Sequence, residues 1–259
     1  MNYLIIPDVH NHVEGAEALI AAFPGRLVIF LGDYFDDYND TVEDARRTAE
    51  WLRYSINKGR IHLMGNHDLP YRWPGLTCPG WTKEKHKVVS GIMTAADWRR
   101  VRLCIILRSA GRPLVISHAG ITLANLYGVA DPKDTAKGGR LEHLRDRSVD
   151  EHLSTIDGQR ELCDYWAEAA GEHHWLNQGS RVGHRNVAGP FWLDRHEFDP
   201  ISGIDQVMGH THVDEPQCHY ASDSENWFID GAGKFAALID DGVVQPIWAT
   251  PGKLGEKAD

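Results

Sequence analysis

Three short apolar runs near the start of the chain end in polar side chains. They are residues 3–9 (YLIIPDV), 26–33 (RLVIFLGD) and 61–66 (IHLMGN). Runs of this length that are rich in Leu, Ile and Val are typical of strands buried on both faces, as in a parallel sheet. We therefore predict three inner strands, each with a polar cluster at its C-terminal end.

Two amphipathic segments separate these runs. Residues 14–23 (EGAEALIAAF) place apolar side chains at helical spacing and end before a Pro-Gly pair. A longer helix is predicted after Thr41, an N-cap residue with Asp44 three positions later, and a Lys-Gly pair closes it. The order strand–helix–strand–helix–strand favours an α/β fold, in which ligand sites form at the C-terminal edge of the sheet.

The second half of the chain has shorter elements. Residues 104–109 (CIILRS) and 113–118 (PLVISH) flank a Gly-containing turn and are predicted to form a hairpin. Near the C-terminus, Gly-rich turns separate four predicted short strands, which are QVMGHTH (206–212), NWFIDGAG (226–233), FAALIDD (235–241) and VVQPIW (243–248).

The region of about 130–200 departs from this regular pattern. It contains two helix-like pieces, at 141–156 and 159–171, followed by a loop rich in Gly, His and Arg. We interpret it as an inserted helical and loop cap within a single domain that spans residues 1–259.

The composition favours a soluble enzyme and restricts its partners. Hydrophobic residues are 42% and charged residues 25% of the 259, which is ordinary for a globular protein. The net charge of −10 disfavours long nucleic acids as partners, and no run of about eighteen apolar residues predicts a membrane span. Four scattered cysteines without a CxxC motif, and no leader-like start, predict reduced thiols and a cytoplasmic location. The pattern leaves the oligomeric state open.

Five polar clusters lie at the ends of predicted strands. They are rich in carboxylate, imidazole and amide side chains, and in chain order they contain Asp8 and His10, then Asp33, Asp36 and Asp37, then Asn66, His67 and Asp68, then His118, and finally His210 and His212. Oxygen and imidazole ligands together suit Mn, Fe or Zn better than Ca. The ligands are too many for one tetrahedral ion, and a carboxylate can bridge two ions, so Asp33 is the candidate bridge.

Each cluster alone has a simpler interpretation. A lone DxH pair is usually a turn or an N-cap, GNHD alone is usually a polar turn, and a single histidine in a hairpin is usually a hydrogen-bonded core residue. The joint occurrence of five clusters, each at a strand end, favours a site with two metal ions.

The order DxH, GDxxD, GNHD, a single His and GHxH resembles the calcineurin-like metallophosphoesterase superfamily. GDYFD, SHAGI and GPFW are similar to segments of its phosphoprotein-phosphatase-like branch, which includes bis(5′-nucleosyl)-tetraphosphatase-like enzymes. The resemblance implies a four-layer αββα sandwich of two mixed sheets, with the metal ions at the strand ends.

The resemblance also implies a role for each motif residue. Two divalent ions would be bound, the first by Asp8, His10, Asp33 and His212, and the second by Asp33, Asn66, His118 and His210. His67 would be the general acid, Asp36 would orient its imidazole, and Asp68 would support the backbone of the motif.

The expected activity is hydrolysis of a phosphorylated substrate. We expect a phosphomonoesterase that acts on a phosphoprotein or a small phosphate ester, with a metal-bridging hydroxide as nucleophile and a histidine as general acid. Two alternatives stay open: a hydrolase of phosphodiesters or phosphoanhydrides, such as dinucleoside polyphosphates or nucleic-acid ends, and a non-catalytic scaffold. A scaffold is disfavoured because the ligand set is complete.

Some residues depart from the family pattern where substrate would bind. Asp37 stands where phosphoprotein phosphatases have a phosphate-binding Arg, and Asn11 replaces the usual Gly after DxH. A carboxylate cannot replace the bidentate guanidinium. Candidates for a substitute phosphate-binding residue are Arg72, just after GNHD, and Arg181, Arg185 and Arg195 in the Gly-rich loop.

Overall fold

The computed structural model describes residues 1–109, 112–122, 191–221, 223–250 and 252–258. The strands, in chain order, are β1 (Tyr3–Ile6), β2 (Leu27–Phe30), β3 (Ile61–His62), β4 (Cys104–Ser109), β5 (Arg112–Ser117), β6 (Asp205–Met208), β7 (Gln217–Ala221), β8 (Ser224–Phe228), β9 (Phe235–Asp240) and β10 (Val243–Trp248). The described helices are α1 (Val13–Ala22), α2 (Val42–Asn57), α3 (Leu69–Arg72), α4 (Lys83–Ile92) and α5 (Ala95–Trp98). The predicted region of about 130–200 lies mostly outside these residues.

The first sheet has the strand order β10–β9–β1–β2–β3. Strands β1, β2 and β3 run parallel, with Ile5 opposite Ile29 and Ile29 opposite Ile61. Strand β9 joins β1 in antiparallel orientation, and β10 pairs with β9 in the same way. The predicted strand–helix–strand–helix–strand unit is therefore confirmed, because α1 and α2 connect the three parallel strands.

The second sheet has the order β4–β5–β6–β8–β7. Its inner strands β5, β6 and β8 are parallel, whereas β4 and β7 pair in antiparallel orientation at the two edges. The predicted hairpin is confirmed as β4 and β5. Both sheets are mixed, so the prediction of a sandwich of two mixed sheets is confirmed.

Aliphatic side chains from both sheets form one buried cluster between them. It includes Ile5, Ile29 and Leu63 from the first sheet, and Ile116 and Val207 from the second. Burial of such a side chain contributes about 1.5–3 kcal/mol. This layer holds the two sheets face to face and aligns the ends of their parallel strands.

The other face of the first sheet packs against helices. Leu19 of α1 and Leu52 of α2 belong to the same buried cluster as Leu4 and Phe30 of the strands. Helix α2 begins at the predicted place: Thr41 Oγ1 accepts a hydrogen bond from the Asp44 backbone N–H, and Asp44 accepts one from the Thr41 backbone N–H. This reciprocal cap satisfies two donors that the helix itself leaves unpaired.

Three local predictions differ from the structure. The strand predicted at 61–66 has only two residues, because after Leu63 donates to the Phe30 carbonyl oxygen, Met64 donates to Arg102 instead of to β2. Helix α4 was not predicted, since three lysines and Gly91 weaken its apolar pattern. Strand β7 was missed as well, because it is an edge strand whose side chains are mostly exposed.

Membrane insertion through a helix has no support in the described part of the chain. None of its helices is both long and apolar enough to cross a bilayer.

His62 is a fully buried histidine that couples stability to pH. Its Nδ1 lies 3.0 Å from Tyr34 Oη and its Nε2 lies 2.9 Å from Ser55 Oγ. Burial, followed by the nearby guanidinium groups of Arg60 and Arg100, lowers the pKa of His62 to about 3. The folded protein therefore holds this imidazole neutral at pH values where the unfolded chain protonates it.

We expect acid to destabilise the protein through His62. The unfolded chain binds the proton below pH 6.5 and the folded protein only below about 3, so the free energy of unfolding falls across that interval. At pH 5 the loss is about 2 kcal/mol, because one pKa unit corresponds to about 1.36 kcal/mol. Urea unfolding of metal-free protein at pH 7 and pH 5 measures it. Between pH 7 and pH 5, the free energy of unfolding of His62→Gln should fall by about 2 kcal/mol less than that of the wild-type protein. An equal fall in both proteins would contradict the assignment.

Candidate metal centre

The polar clusters lie at the carboxyl ends of parallel strands in both sheets. Asp8 follows β1, Asp33 follows β2 and Asn66 follows β3 in the first sheet, whereas His118 directly follows β5 and His210 follows β6 in the second. The two sheets are packed together, so these strand ends meet at one edge of the sandwich. This edge brings residues from five distant parts of the chain into one site.

Asp8, His10 and Asp33 form the first group of possible metal ligands. One ligand atom from each lies within 4.8 Å of the others. His10 Nε2 is 4.0 Å from Asp8 Oδ2 and 3.8 Å from Asp33 Oδ2. His10 Nδ1 lies 3.0 Å from the carbonyl oxygen of Phe35, which fixes the ring so that Nε2 faces the carboxylates.

Asp33, His118 and His210 form the second group. His118 Nδ1 lies 3.1 Å from the carbonyl oxygen of Leu31, and its Nε2 is 3.6 Å from Asp33 Oδ2 and 3.2 Å from His210 Nδ1. Asp33 is the member that both groups share. A single carboxylate is therefore in position to contact two cations at once.

The side-chain amide of Asn66 tests whether a cation fits the second group. Its oxygen lies 2.9 Å from His118 Nε2, 2.9 Å from His210 Nδ1 and 3.2 Å from Asp33 Oδ2, and it faces only acceptors. Turning this amide over would let its N–H₂ donate to the same atoms in the metal-free protein. With its oxygen inward, the amide and the neighbouring atoms of Asp33, His118 and His210 are a suitable ligand set for a divalent cation. The donor set therefore fits a metal ion, and Asn66 completes it.

Buried negative charge in the site also fits a cation. Burial, Asp230 and Asp33 together raise the pKa of Asp8 well above its ordinary value. Burial opposes ionisation of Asp33 too, but the surrounding imidazoles outweigh it and lower the pKa of Asp33 to about 2. Asp230, whose backbone carbonyl accepts from Val213, is a third carboxylate at this edge. Bound cations would offset the mutual repulsion of these carboxylates.

One backbone N–H group binds the second carboxylate oxygen of Asp33, and Asp68 binds the backbone around it. Its Oδ1 accepts the backbone N–H of His67 at 2.8 Å, which leaves Oδ2 to face both groups. Asp68 accepts the backbone N–H groups of Asp33 and Tyr34, each at 2.9 Å, and that of Gly65 at 2.8 Å. Asp68 thus ties the turn after β2 to the turn after β3.

Two glycines make room for these carboxylates. A Cβ at Gly65 would overlap Asp33 Oδ1, and a Cβ at Gly209 would overlap Asp8 Oδ1. Neither glycine has a positive φ, so close approach and not backbone freedom requires glycine here. This explains the glycine in GNHD and in GHTH.

The backbone is strained where the ligands stand. His10, Asp33, Asp36 and His210 have φ values of 41°, 48°, 65° and 61°, in the left-handed region that non-glycine residues rarely adopt. Such residues cost about 1–3 kcal/mol each and cluster at functional sites. The sheet cores before and after these turns hold them in place.

His67 and Asp36 face each other beside the two groups. His67 Nδ1 is 3.7 Å from Asp36 Oδ2, and neither atom has a hydrogen-bond partner among the described residues. Burial disfavours the charged imidazole, but Asp33, Asp36 and the Cys78 thiol outweigh it and raise the pKa of His67 to about 12. The His67 ring also lies edge-on to His10, with 5.1 Å between ring centroids.

The structure does not bring every predicted residue into the cluster. His212 has an exposed side chain and belongs to neither ligand group. The Arg72 guanidinium lies over the Trp73 ring, 4.2 Å from its centroid. Arg181 and Arg185 lie outside the described residues.

Several residues at the site were not found by sequence reasoning. Cys78 accepts a hydrogen bond from Asn66 Nδ2 at 3.6 Å, Tyr71 donates to Asp36 at 2.6 Å, and Lys85 contacts the same carboxylate. Asp230 approaches from the C-terminal part. Phe191 belongs to the GPFW segment noted in the sequence, and its carbonyl oxygen lies 3.2 Å from the Asn66 amide. None of these residues stands in a metal-binding motif, so only their position in the fold connects them to the site.

Comparison with known proteins identifies the family. The profile described as calcineurin-like phosphoesterase matches residues 1–214. Two solved structures of a cold-active protein-tyrosine phosphatase, one of them from a psychrophilic Shewanella species, are each 14% identical to this chain. Their TM-scores are 0.55 and 0.56. Each comparison covers 96% of this chain, and they cover 78% and 76% of the matched phosphatase chains. A diadenosine tetraphosphatase-like protein has a TM-score of 0.47 at 14% identity, covering 97% of this chain and 95% of the other. No curated protein sequence matches the chain.

Proposed function

Because the chain belongs to the calcineurin-like phosphoesterase family, we propose that it is a metal-dependent phosphomonoesterase that acts on a phosphoprotein or a small phosphate ester. The observation that carries the proposal is the Asp33 carboxylate, which is shared by two groups of possible metal ligands beside the partly buried His67 imidazole.

The residues of the two groups would hold two divalent ions. Asp8, His10 and Asp33 are the proposed ligands of one ion, with His212 as a further candidate, and Asp33, Asn66, His118 and His210 are the proposed ligands of the other. Mn, Fe or Zn suits this mixture of oxygen and nitrogen donors. When bound, such ions supply Lewis acidity, which lowers the pKa of a coordinated water and neutralises phosphoryl oxygens.

His67 would give a proton to the leaving oxygen of the ester. Its side chain is not a member of either ligand group, and in the metal-free protein Asp33 and Asp36 raise the pKa of the imidazole, which favours its protonated form. Asp36 Oδ2 faces His67 Nδ1, and this supports a role for Asp36 in fixing which way the ring points. The other ring nitrogen is then available for the departing alkoxide.

The phosphate-binding side chain is an open part of the proposal. The candidates for binding the phosphoryl group, in place of the Arg that Asp37 replaces, stay Arg72, Arg181, Arg185 and Arg195. A cytoplasmic location stays part of the proposal, on the ground of the scattered cysteines without a CxxC motif.

A substrate panel with controlled metal content tests the proposal. Protein stripped with a chelator is reloaded with Mn, Zn or Fe singly and given p-nitrophenyl phosphate, bis(p-nitrophenyl) phosphate, a tyrosine phosphopeptide and a dinucleoside tetraphosphate. We expect no turnover before reloading, and a kcat/KM at least about tenfold higher on the two monoesters than on the others, equivalent to about 1.4 kcal/mol. A preference for the bis ester or the tetraphosphate would replace the monoesterase proposal with a diesterase or anhydride hydrolase. Binding of metal without turnover on any compound would indicate a scaffold.

A further inference from the structure

A buried lysine lies next to the proposed acid. Lys85 of α4 is 4% exposed, and its Nζ donates to the carbonyl oxygen of Gly80 at 2.8 Å. The same ammonium lies 3.3 Å from Asp36 Oδ1 and also forms an ion pair with Asp40 Oδ1. A buried ammonium is costly unless it is paired, and here two carboxylates and a carbonyl oxygen surround it.

The two oxygens of Asp36 have different surroundings. Oδ1 accepts from Tyr71 Oη at 2.6 Å and from Lys85 Nζ at 3.3 Å. Oδ2 has no hydrogen-bond partner among the described residues, and His67 Nδ1 is 3.7 Å away. Rotation of the carboxylate would break both contacts to Oδ1, so these contacts keep Oδ2 directed at His67.

Lys85 is itself fixed from several directions. Thr82 Oγ1 caps α4 by accepting the Lys85 backbone N–H at 3.2 Å, which places the residue in the first turn. Gly80, with a φ of 86°, brings its backbone against Asp36, where an added Cβ would lie only 2.9 Å from Asp36 Cβ. The loop before α4 and the carboxylate therefore pack as one unit.

The contacts continue from Lys85 to helix α2. Asp40, which pairs with Lys85, accepts from Asn11 Nδ2 at 2.9 Å through its other oxygen. Asn11 in turn accepts from Thr48 Oγ1 at 2.8 Å. Asn11, which replaces the usual glycine after DxH, is thus part of a continuous chain of polar contacts. The chain runs Thr48–Asn11–Asp40–Lys85–Asp36 and ends at His67.

We propose that Lys85 is a positioning residue for His67, acting by holding Asp36 in the orientation that directs its Oδ2 at the imidazole. The inference rests on the proposed phosphoesterase function. Its distinctive consequence concerns leaving groups, because a misplaced acid matters only for an oxygen that needs a proton to depart.

Lys85→Met tests the inference, with Lys87→Met as the matched control from an exposed position two residues along the same helix. We expect Lys85→Met to lower kcat on an alkyl phosphate by about 10- to 100-fold, and on p-nitrophenyl phosphate by less than about threefold, with KM on both within about twofold. Lys85→Arg should recover part of the alkyl phosphate rate, because it restores a cation. Metal content and melting temperature are measured for every variant.

A purely structural role for Lys85 predicts a different result. Loss of folded protein would lower the rates on both substrates by the same factor, and that outcome, or unchanged rates on both, would overturn the inference. Should Lys85→Met not fold, Lys85→Gln is measured in the same way and the same two outcomes apply. The proposed function fails separately, if the wild-type protein reloaded with metal hydrolyses neither substrate.

Discussion

Replacing Asp33 by asparagine is expected to remove bound metal and hydrolytic activity together. Asp33 Oδ1 accepts the His67 backbone N–H at 2.8 Å, so an amide at this position would place its oxygen there to keep the hydrogen bond. The amide N–H₂ would then point to where Oδ2 now faces His10 and His118. A donor in that place repels cations in both ligand groups.

The expected loss of kcat/KM is at least about 1,000-fold, because both ions and the several kcal/mol that they supply depend on this carboxylate. Elemental analysis after dialysis against manganese, zinc or iron measures the bound metal, and p-nitrophenyl phosphate measures the rate. Asp37→Asn is the matched control: it removes a carboxylate from the same loop, where Asp37 is 34% exposed and pairs with His12 at 3.2 Å. A fully metallated Asp33→Asn protein would contradict the shared-ligand assignment.

Stability separates loss of metal from loss of fold in this variant. In the metal-free protein the carboxylates of Asp8, Asp33 and Asp230 repel each other, which contributes to the raised pKa of Asp8. Asparagine at position 33 removes one of these charges and adds a donor beside several acceptors. The imidazoles that lower the pKa of Asp33 lose their negative partner as well, so metal-free Asp33→Asn should melt somewhat lower than metal-free wild type but still unfold cooperatively. Absence of a cooperative transition would mean that the lost activity reflects unfolding.

His67→Ala is expected to keep the metal but to lose most turnover on substrates with poor leaving groups. The side chain belongs to neither ligand group, and the backbone N–H that holds Asp33 is unchanged. General acid catalysis contributes about 100- to 10,000-fold, so kcat on an alkyl phosphate should fall by that factor. On p-nitrophenyl phosphate the fall should be much smaller, because p-nitrophenolate leaves without a proton.

The comparison of the two substrates is made with metal content measured in parallel. His12→Ala is the matched control, since this histidine lies close in the chain and is 71% exposed. Unchanged turnover of the alkyl phosphate would remove His67 from the mechanism. A parallel loss of metal would instead mean that the imidazole supports the ligands.

Local sequence was sufficient to predict most of the strands and helices that position the site. Strands β1 and β2 and helices α1 and α2 follow directly from hydrophobic spacing and from the Thr41 cap, because these signals arise within one or two turns of chain. The polar clusters were visible for the same reason, since each stands directly beside its own strand. The pairing of β6 with β8, which leaves β7 at the edge, has no such local signal.

The tertiary structure decided which residues surround the candidate ligands and contact them. Lys85 is 49 positions from Asp36, and its pattern in a lysine-rich helix is that of a solvated surface residue. It becomes buried only because α4 and the loop before it pack against the turn after β2. Asp230 likewise reaches Asp8 only through the second sheet.

By itself, then, the sequence predicted the fold class, the candidate metal-ligating side chains and Asp33 as the candidate bridge, because hydrophobic period and residue chemistry are properties of short segments. Only the tertiary structure decided how close the members of the two ligand groups lie to Asp33, and that Tyr71 and Lys85 contact the Asp36 carboxylate beside His67. Those features depend on distances between segments far apart in the chain. Such distances are set by how the two sheets and the helices pack.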